Sequence, residues 1–296
     1  MIVIVGIVNR ASLFLQKGEP RMANPVLFTD KLRKLLLPDG SEKGLQFKQF
    51  NRILTSPDSE DLLTWNTFCP LEDVEPKSKW LLPLFRKAFG DGLWNSIPES
   101  ELDQAELKFW HGRRTKEYFP PKEHDSWLRD RLQKSGVQKY WDKAKIGKRL
   151  EGPTEVDLVI ETPKTLTFIE AKYLADIDCK ATNDPSRDQL TRSICVGCHQ
   201  ARQRKFFFIL LTPEYYERSR LYWYKMKDYR ENPDLIREKL PYLSIDFGEL
   251  SRSIGWILWR EVFEIWKDLA GEFKLQEEDR KRLPLVLQHF IEIGLT

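Results

Sequence analysis

The sequence predicts an α/β fold: a mixed β-sheet flanked by helices, with further helices before and after the core. Three stretches predict it. Residues 153–173 read as two strands joined by a turn, with Val156–Glu161 apolar and β-branched, Thr162-Pro163-Lys164 turning, and Thr165–Tyr173 β-prone. Leu190, Ile194, Cys198 and Ala201 recur at helical spacing in a segment that opens at Asp184-Pro185-Ser186 and runs to about Gln203. Lys205–Leu211, K-F-F-F-I-L-L, is a continuous apolar run of strand length, closed by Thr212-Pro213, and suits a strand buried on both faces. A helix between the second and third of these strands implies a crossover, and so a mixed sheet.

The remaining elements follow in order. Residues 25–37 are a short amphipathic helix ended by Pro38-Asp39-Gly40, and Phe47–Leu54 is a second short element. Ser56-Pro57-Asp58 has the cap, first-turn proline and acids of a helix start, for a helix over Ser59–Phe68. Lys79–Phe89 is a helix stopped by Gly90, and Glu99–Trp110 is another. Asp125–Lys134 is a helix closed by Ser135-Gly136, with a strand expected near Lys143–Leu150. After the core, Tyr215–Tyr229 is basic and aromatic, Glu249–Leu269 reads as one Trp-rich apolar helix, and Asp279–Ile293 is a terminal helix started or kinked at Pro284. The expected organisation is an extension or edge strand over 1–21, a mostly helical region over 22–110, the core over 111–230, and helices packed on it over 231–296.

Length and composition bound the function. The 296 residues are 41% hydrophobic and 31% charged, enough to bury a core without disulfides or a structural metal. The 4 Cys make no disulfide framework, which favours a cytoplasmic setting. No apolar run reaches the ~18 residues that a membrane span needs, and residues 1–8 lack the basic start of a signal peptide. The net charge of +3 hides strong asymmetry. Residues 108–150 carry 13 Lys/Arg against 5 Asp/Glu, and residues 202–230 carry 8 against 3, whereas 54–107 carry 4 against 11. Two basic segments thus flank residues 153–173, a pattern that attracts polyanions and that solvated helix faces also produce.

The charged residues of the strand pair carry the chemistry. Residues two apart on a strand share a face, so Glu155 with Asp157, and Glu170 with Lys172, can converge if the strands pair. Hard divalent cations take carboxylate and carbonyl oxygens, and Mg2+ needs one or two carboxylates while keeping waters. Asp157 and Glu170 would supply them, and the carbonyl of Ala171 could add a ligand. Lys172 beside them suits holding a water and offsetting charge on a phosphate. The bland alternative is a cross-strand salt-bridge ladder on an exposed face. Cys195-Val196-Gly197-Cys198-His199 has the spacing of a haem attachment, or with Cys179 of a zinc site, but inside an apolar helix its thiols read as buried packing.

An acid at a strand start, followed thirteen residues later by Glu-Ala-Lys on the next strand, resembles the PD-(D/E)XK nuclease superfamily, with its restriction-endonuclease-like core. Asp157 stands at the first acid, Glu170 at the second and Lys172 at the lysine, while Val156 replaces the proline often found there. The likeness covers about residues 125–212. Gln189 matches by position a polar residue that the family often places on the next helix, with Arg192 one turn on. The first helix often adds a glutamate, for which Glu60 and Glu117 are both candidates. The resemblance implies phosphodiester hydrolysis with Mg2+ or Mn2+, Asp157 and Glu170 binding metal and Lys172 positioning or activating water. The expected partner is nucleic acid, in the first place duplex DNA, with no membrane and with a homodimer compatible. The rival is a catalytically silent nucleic-acid-binding or scaffolding protein of the same fold.

Overall fold

A computed structural model of the chain describes residues 25–37, 51, 60–91, 93–111, 119–135, 154–177, 188–214 and 220–295. The expected element at 47–54, apart from residue 51, and the strand near 143–150 lie outside these residues, as do residues 1–21 and Cys179.

Among the described residues four α-helices come first: α1 (Thr29–Leu36), α2 (Glu60–Glu72), α3 (Ser78–Phe89) and the single-turn α4 (Glu99–Leu102). α3 stops at Gly90, whose φ of 65° is open to glycine without the Cβ clash other residues incur. Strand β1 (Glu106–His111) and helix α5 (Lys122–Ser135) lead to β2 (Val156–Glu161) and β3 (Thr165–Ala171). Helix α6 (Gln189–Ala201) crosses to β4 (Lys205–Thr212). Three helices, α7 (Leu221–Glu231), α8 (Pro233–Lys239) and α9 (Phe247–Arg252), precede β5 (Ile254–Leu258), followed by α10 (Trp259–Leu269) and α11 (Glu277–Glu292).

The sheet is mixed, in the order β1-β2-β3-β4-β5. β1–β2 and β2–β3 are antiparallel, while β3–β4 and β4–β5 are parallel. The α/β class and the helix-flanked mixed sheet are thus present. Helices cover both faces, each closing its own core. On one face Ile169, Phe207, Ile209 and Ile257 meet α1, α2, α3, α10 and α11. On the other, Leu166, Phe168, Phe208 and Trp256 meet α6, α7, α8 and α9. Burial of each such side chain contributes about 1.5–3 kcal/mol.

Two expected helices are corrected. The stretch 99–110 is a helix only as far as Leu102, and a turn at Asp103-Gln104 then releases β1. Leu107 and Phe109 enter the core two residues apart, and Lys108 reaches Glu161 on the neighbouring strand at 2.8 Å, which is a strand's periodicity. The stretch 249–269 is helix, strand, helix. Its middle, I-G-W-I-L, sends Ile254 and Trp256 into one core and Ile257 into the other, and a strand can serve both faces where a helix cannot. Gly255 admits α3 closely, since a Cβ there would lie 2.6 Å from the Phe89 ring. The sheet therefore draws strands from all three expected regions beyond residue 21.

Smaller shifts occur elsewhere. α2 runs on to Glu72 with Pro70 inside it, α5 starts at Lys122 directly after Pro120-Pro121, and α11 starts at Glu277 and passes through Pro284. α6 starts at Gln189 with Asp188 as its cap.

Candidate active site

The predicted charges meet at the carboxyl end of the parallel pair β3–β4, where open α/β sheets place their ligands. Leu158 on β2 faces Ile169 on β3, and one step further Asp157 comes opposite Glu170 on the same side of the sheet. Asp157 Oδ2 accepts the N–H of Ala171 at 2.8 Å, so its carboxylate also ties the two strands together. Glu170 Oε1 accepts two hydrogen bonds, from Lys172 Nζ at 2.7 Å and from Gln189 Nε2 at 2.6 Å. Lys172 Nζ also donates to the Ala171 carbonyl at 3.1 Å and stands 3.9 Å from Glu60 Oε2. Glu60 opens α2, and its Oε1 accepts the N–H groups of Tyr173 and Ala175 at 2.7 and 3.1 Å. It thereby holds the chain as it leaves β3.

The backbone around Lys172 is pinned from three sides. Its N–H donates to Leu211 O on β4 at 2.8 Å, and its carbonyl accepts Trp259 Nε1 of α10 at 2.9 Å. The next residue, Tyr173, donates its hydroxyl to Ile293 O at 3.0 Å.

The site is partly buried and rich in negative charge. Glu170 is 2% exposed and Lys172 5%, which rules out a ladder on an open surface. Burial, then the charge of Glu170, push the Asp157 carboxyl well above the usual aspartate range, against the pull of Lys172 and the Ala171 N–H. Burial disfavours the Lys172 ammonium, but Glu170, Asp157 and Glu60 together outweigh it and raise its pKa. Glu170 Oε2 is buried and accepts no hydrogen bond among the described residues. A carboxylate oxygen in that state costs on the order of 1–3 kcal/mol or more unless a donor or a cation meets it.

Compared with protein-family models, curated proteins and solved structures, the chain matches none. The reading of the site therefore rests on its own geometry.

Asp157, Glu170, Ala171, Lys172 and Gln189 are brought together as the spacing led one to expect. Of the two first-helix candidates, Glu60 joins them, while Glu117 lies outside the described residues. Glu155 is half-buried just before β2, and Arg192 is half-buried on α6. Asp61, whose charge acts on Asp157, was not singled out from the sequence, although it adjoins Glu60. Nor were Asp188, the α6 cap, and Tyr229, which hydrogen-bonds to it. Among the described residues no group of three or more His, Cys, Asp and Glu is arranged as a metal cluster. Cys195 is buried with Sγ 3.3 Å from the Tyr242 hydroxyl, burial pushes the Cys198 thiol up, and His199 is exposed. No helix among the described residues is long and apolar enough to cross a membrane.

Proposed function

We propose that the chain is a metal-dependent nuclease of the PD-(D/E)XK kind, hydrolysing phosphodiester bonds in DNA. The observation that carries the reading is buried Glu170 and Lys172 beside half-buried Asp157, with one carboxylate oxygen, Glu170 Oε2, left without a hydrogen-bond partner among the described residues. Two carboxylates and a carbonyl fall short of a closed metal cluster, but they match a hard cation that keeps several of its waters. Asp157, Glu170 and the Ala171 carbonyl would hold Mg2+ or Mn2+. When bound, such an ion supplies Lewis-acid stabilisation of a phosphate and acidifies water.

The chain's own residues complete the chemistry. Lys172, held beside Glu170, positions or activates the attacking water and offsets charge building on the phosphoryl oxygens. Water attacks phosphorus, one P–O ester bond breaks, and the leaving alkoxide takes a proton. Gln189 fixes the rotamer of Glu170 through its 2.6 Å bond. Glu60 anchors the backbone beyond Lys172, so the ammonium keeps its place. The expected setting is cytoplasmic and the expected partner duplex DNA, with the basic composition of residues 108–150 and 202–230 as support.

The test incubates plasmid, linear duplex and single strands with the chain in Mg2+ or in chelator. Cleavage is expected only with metal. Glu170→Ala and Lys172→Ala should each lower the rate by about 100- to 1000-fold, with circular dichroism reporting a retained fold. Activity that survives both substitutions would overturn the site assignment. A wild type that binds DNA without cutting it would favour a silent binding protein.

A further inference from the structure

The residue that touches Glu170 from the helix side, Gln189, sits in the first turn of α6, where a helix frays most readily. Its neighbour Asp188 is 2% exposed and carries an unusual load for a cap. Asp188 Oδ1 accepts the N–H of Thr191 at 2.8 Å and its hydroxyl at 3.0 Å, and Thr191 Oγ1 in turn takes the N–H of Asp188 at 3.1 Å. That closes a reciprocal capping box. The other carboxylate oxygen, Oδ2, accepts the hydroxyl of Tyr229 from α7.

Tyr229 is 1% exposed and is itself held, because its carbonyl accepts the Ser251 hydroxyl from α9. The opposite end of α7 is tied to the loop beyond Lys172. Asp176 accepts the N–H groups of Leu221 and Tyr222 at 2.6 and 3.1 Å, and Arg220 donates to the Leu174 carbonyl at 2.7 Å. α7 thus braces both the chain leaving β3 and the start of α6.

We infer that Tyr229 and Asp188 are positioning residues that aim Gln189 at Glu170 and so set the metal affinity of the site. The inference rests on the metal-dependent reading above. A capping box alone would stabilise α6. The added bond from α7 fixes the first turn relative to a separate element, which matters to a residue whose task is to hold one rotamer of a buried carboxylate. Tyr229→Phe keeps the ring in its core and deletes only the hydroxyl.

The experiment titrates Mn2+ into the full chain and reads free Mn2+ by electron paramagnetic resonance. Wild type, Tyr229→Phe, Gln189→Ala and the double variant are compared. Each single substitution should weaken binding by about tenfold. The double variant should be no weaker than Gln189→Ala alone, because Tyr229 acts through Gln189. Asp103→Ala, which removes the bond to the Ser78 N–H at the start of α3 on the other face of the sheet, controls for loosening and should lower the melting temperature with Mn2+ affinity unchanged. Wild-type affinity in Tyr229→Phe, or losses that multiply in the double variant, would overturn the inference while metal-dependent cleavage still stands. A wild type that neither binds Mn2+ nor cleaves DNA would overturn the metal-dependent reading and the inference with it.

Discussion

Asp157 shows what the site asks of single residues. It stands one step beyond the Leu158–Ile169 pair, beside Glu170, and is half-buried where Glu170 is fully buried. Because its folded pKa is raised, the metal-free folded state holds the proton that the unfolded chain has already released. The contribution to stability is therefore present at low pH and is lost as pH rises from the ordinary aspartate value, ~3.9, through the raised one. We expect melting temperatures of metal-free wild type to fall more steeply as pH rises above the ordinary aspartate value than those of Asp157→Asn, which cannot ionise. Added Mg2+ should flatten the wild-type slope. At a hundredfold excess over its dissociation constant it should stabilise the wild type by about 2.7 kcal/mol. Equal slopes in wild type and Asp157→Asn would remove Asp157 from the electrostatics of the site. The charges themselves were readable, since E-V-D and E-A-K put acids and lysine on one strand parity. The partnerless Glu170 Oε2 was not, because it depends on which groups from α2 and α6 arrive and which do not.

At the scale of elements, α6 decides how the site is framed. Its inner face presses on β4 so closely that a Cβ at Gly197 would lie 2.1 Å from the Phe206 ring. Phe206 is also set edge-on against Phe168 at 5.4 Å, which limits its room to move. Gly197→Ala would gain about 1 kcal/mol in helix propensity, yet we expect a net loss of about 1–3 kcal/mol from overpacking, measured by urea denaturation. A stabilised variant would show that α6 can stand off the sheet. The helix itself was legible from its stripe, and Leu190, Ile194 and Ala201 are indeed buried. β1 and β5 were not legible as strands. Glu99–Trp110 and Glu249–Leu269 each join a helical and an extended piece with no proline or glycine pair between them, so apolar content alone does not show the change of period.

For the whole molecule, the sheet is closed by strands from far apart in the chain. β1 starts five residues before the expected core boundary at residue 111, and β5 lies well after residue 230. One core draws on α1, α2, α3, α10 and α11, and Lys172 is pinned by Trp259 of α10. We therefore expect the fragment 111–230 to lack a stable fold, because it leaves β2 and β4 as raw edges and one sheet face bare. The full chain should unfold in a single transition. Amide exchange on the fragment would check this, and slow exchange across β3 and β4 would show that the middle of the chain suffices.

The sequence alone determined the fold class, the strand pair over 156–161 and 165–173 (which ends at Ala171 in the fold), the buried β4, and the meeting of Asp157, Glu170 and Lys172. Those features are local: β-branched runs, a short turn and a period of two settle them within about twenty residues. Only the tertiary structure decided that Glu60 reaches Lys172, that Tyr229 holds the cap of α6, and that two apolar stretches are strands of the sheet. Those are contacts between residues up to 115 apart, as in the bond from Ala175 to Glu60. They are fixed by which faces bury together, and no local pattern of side chains encodes them.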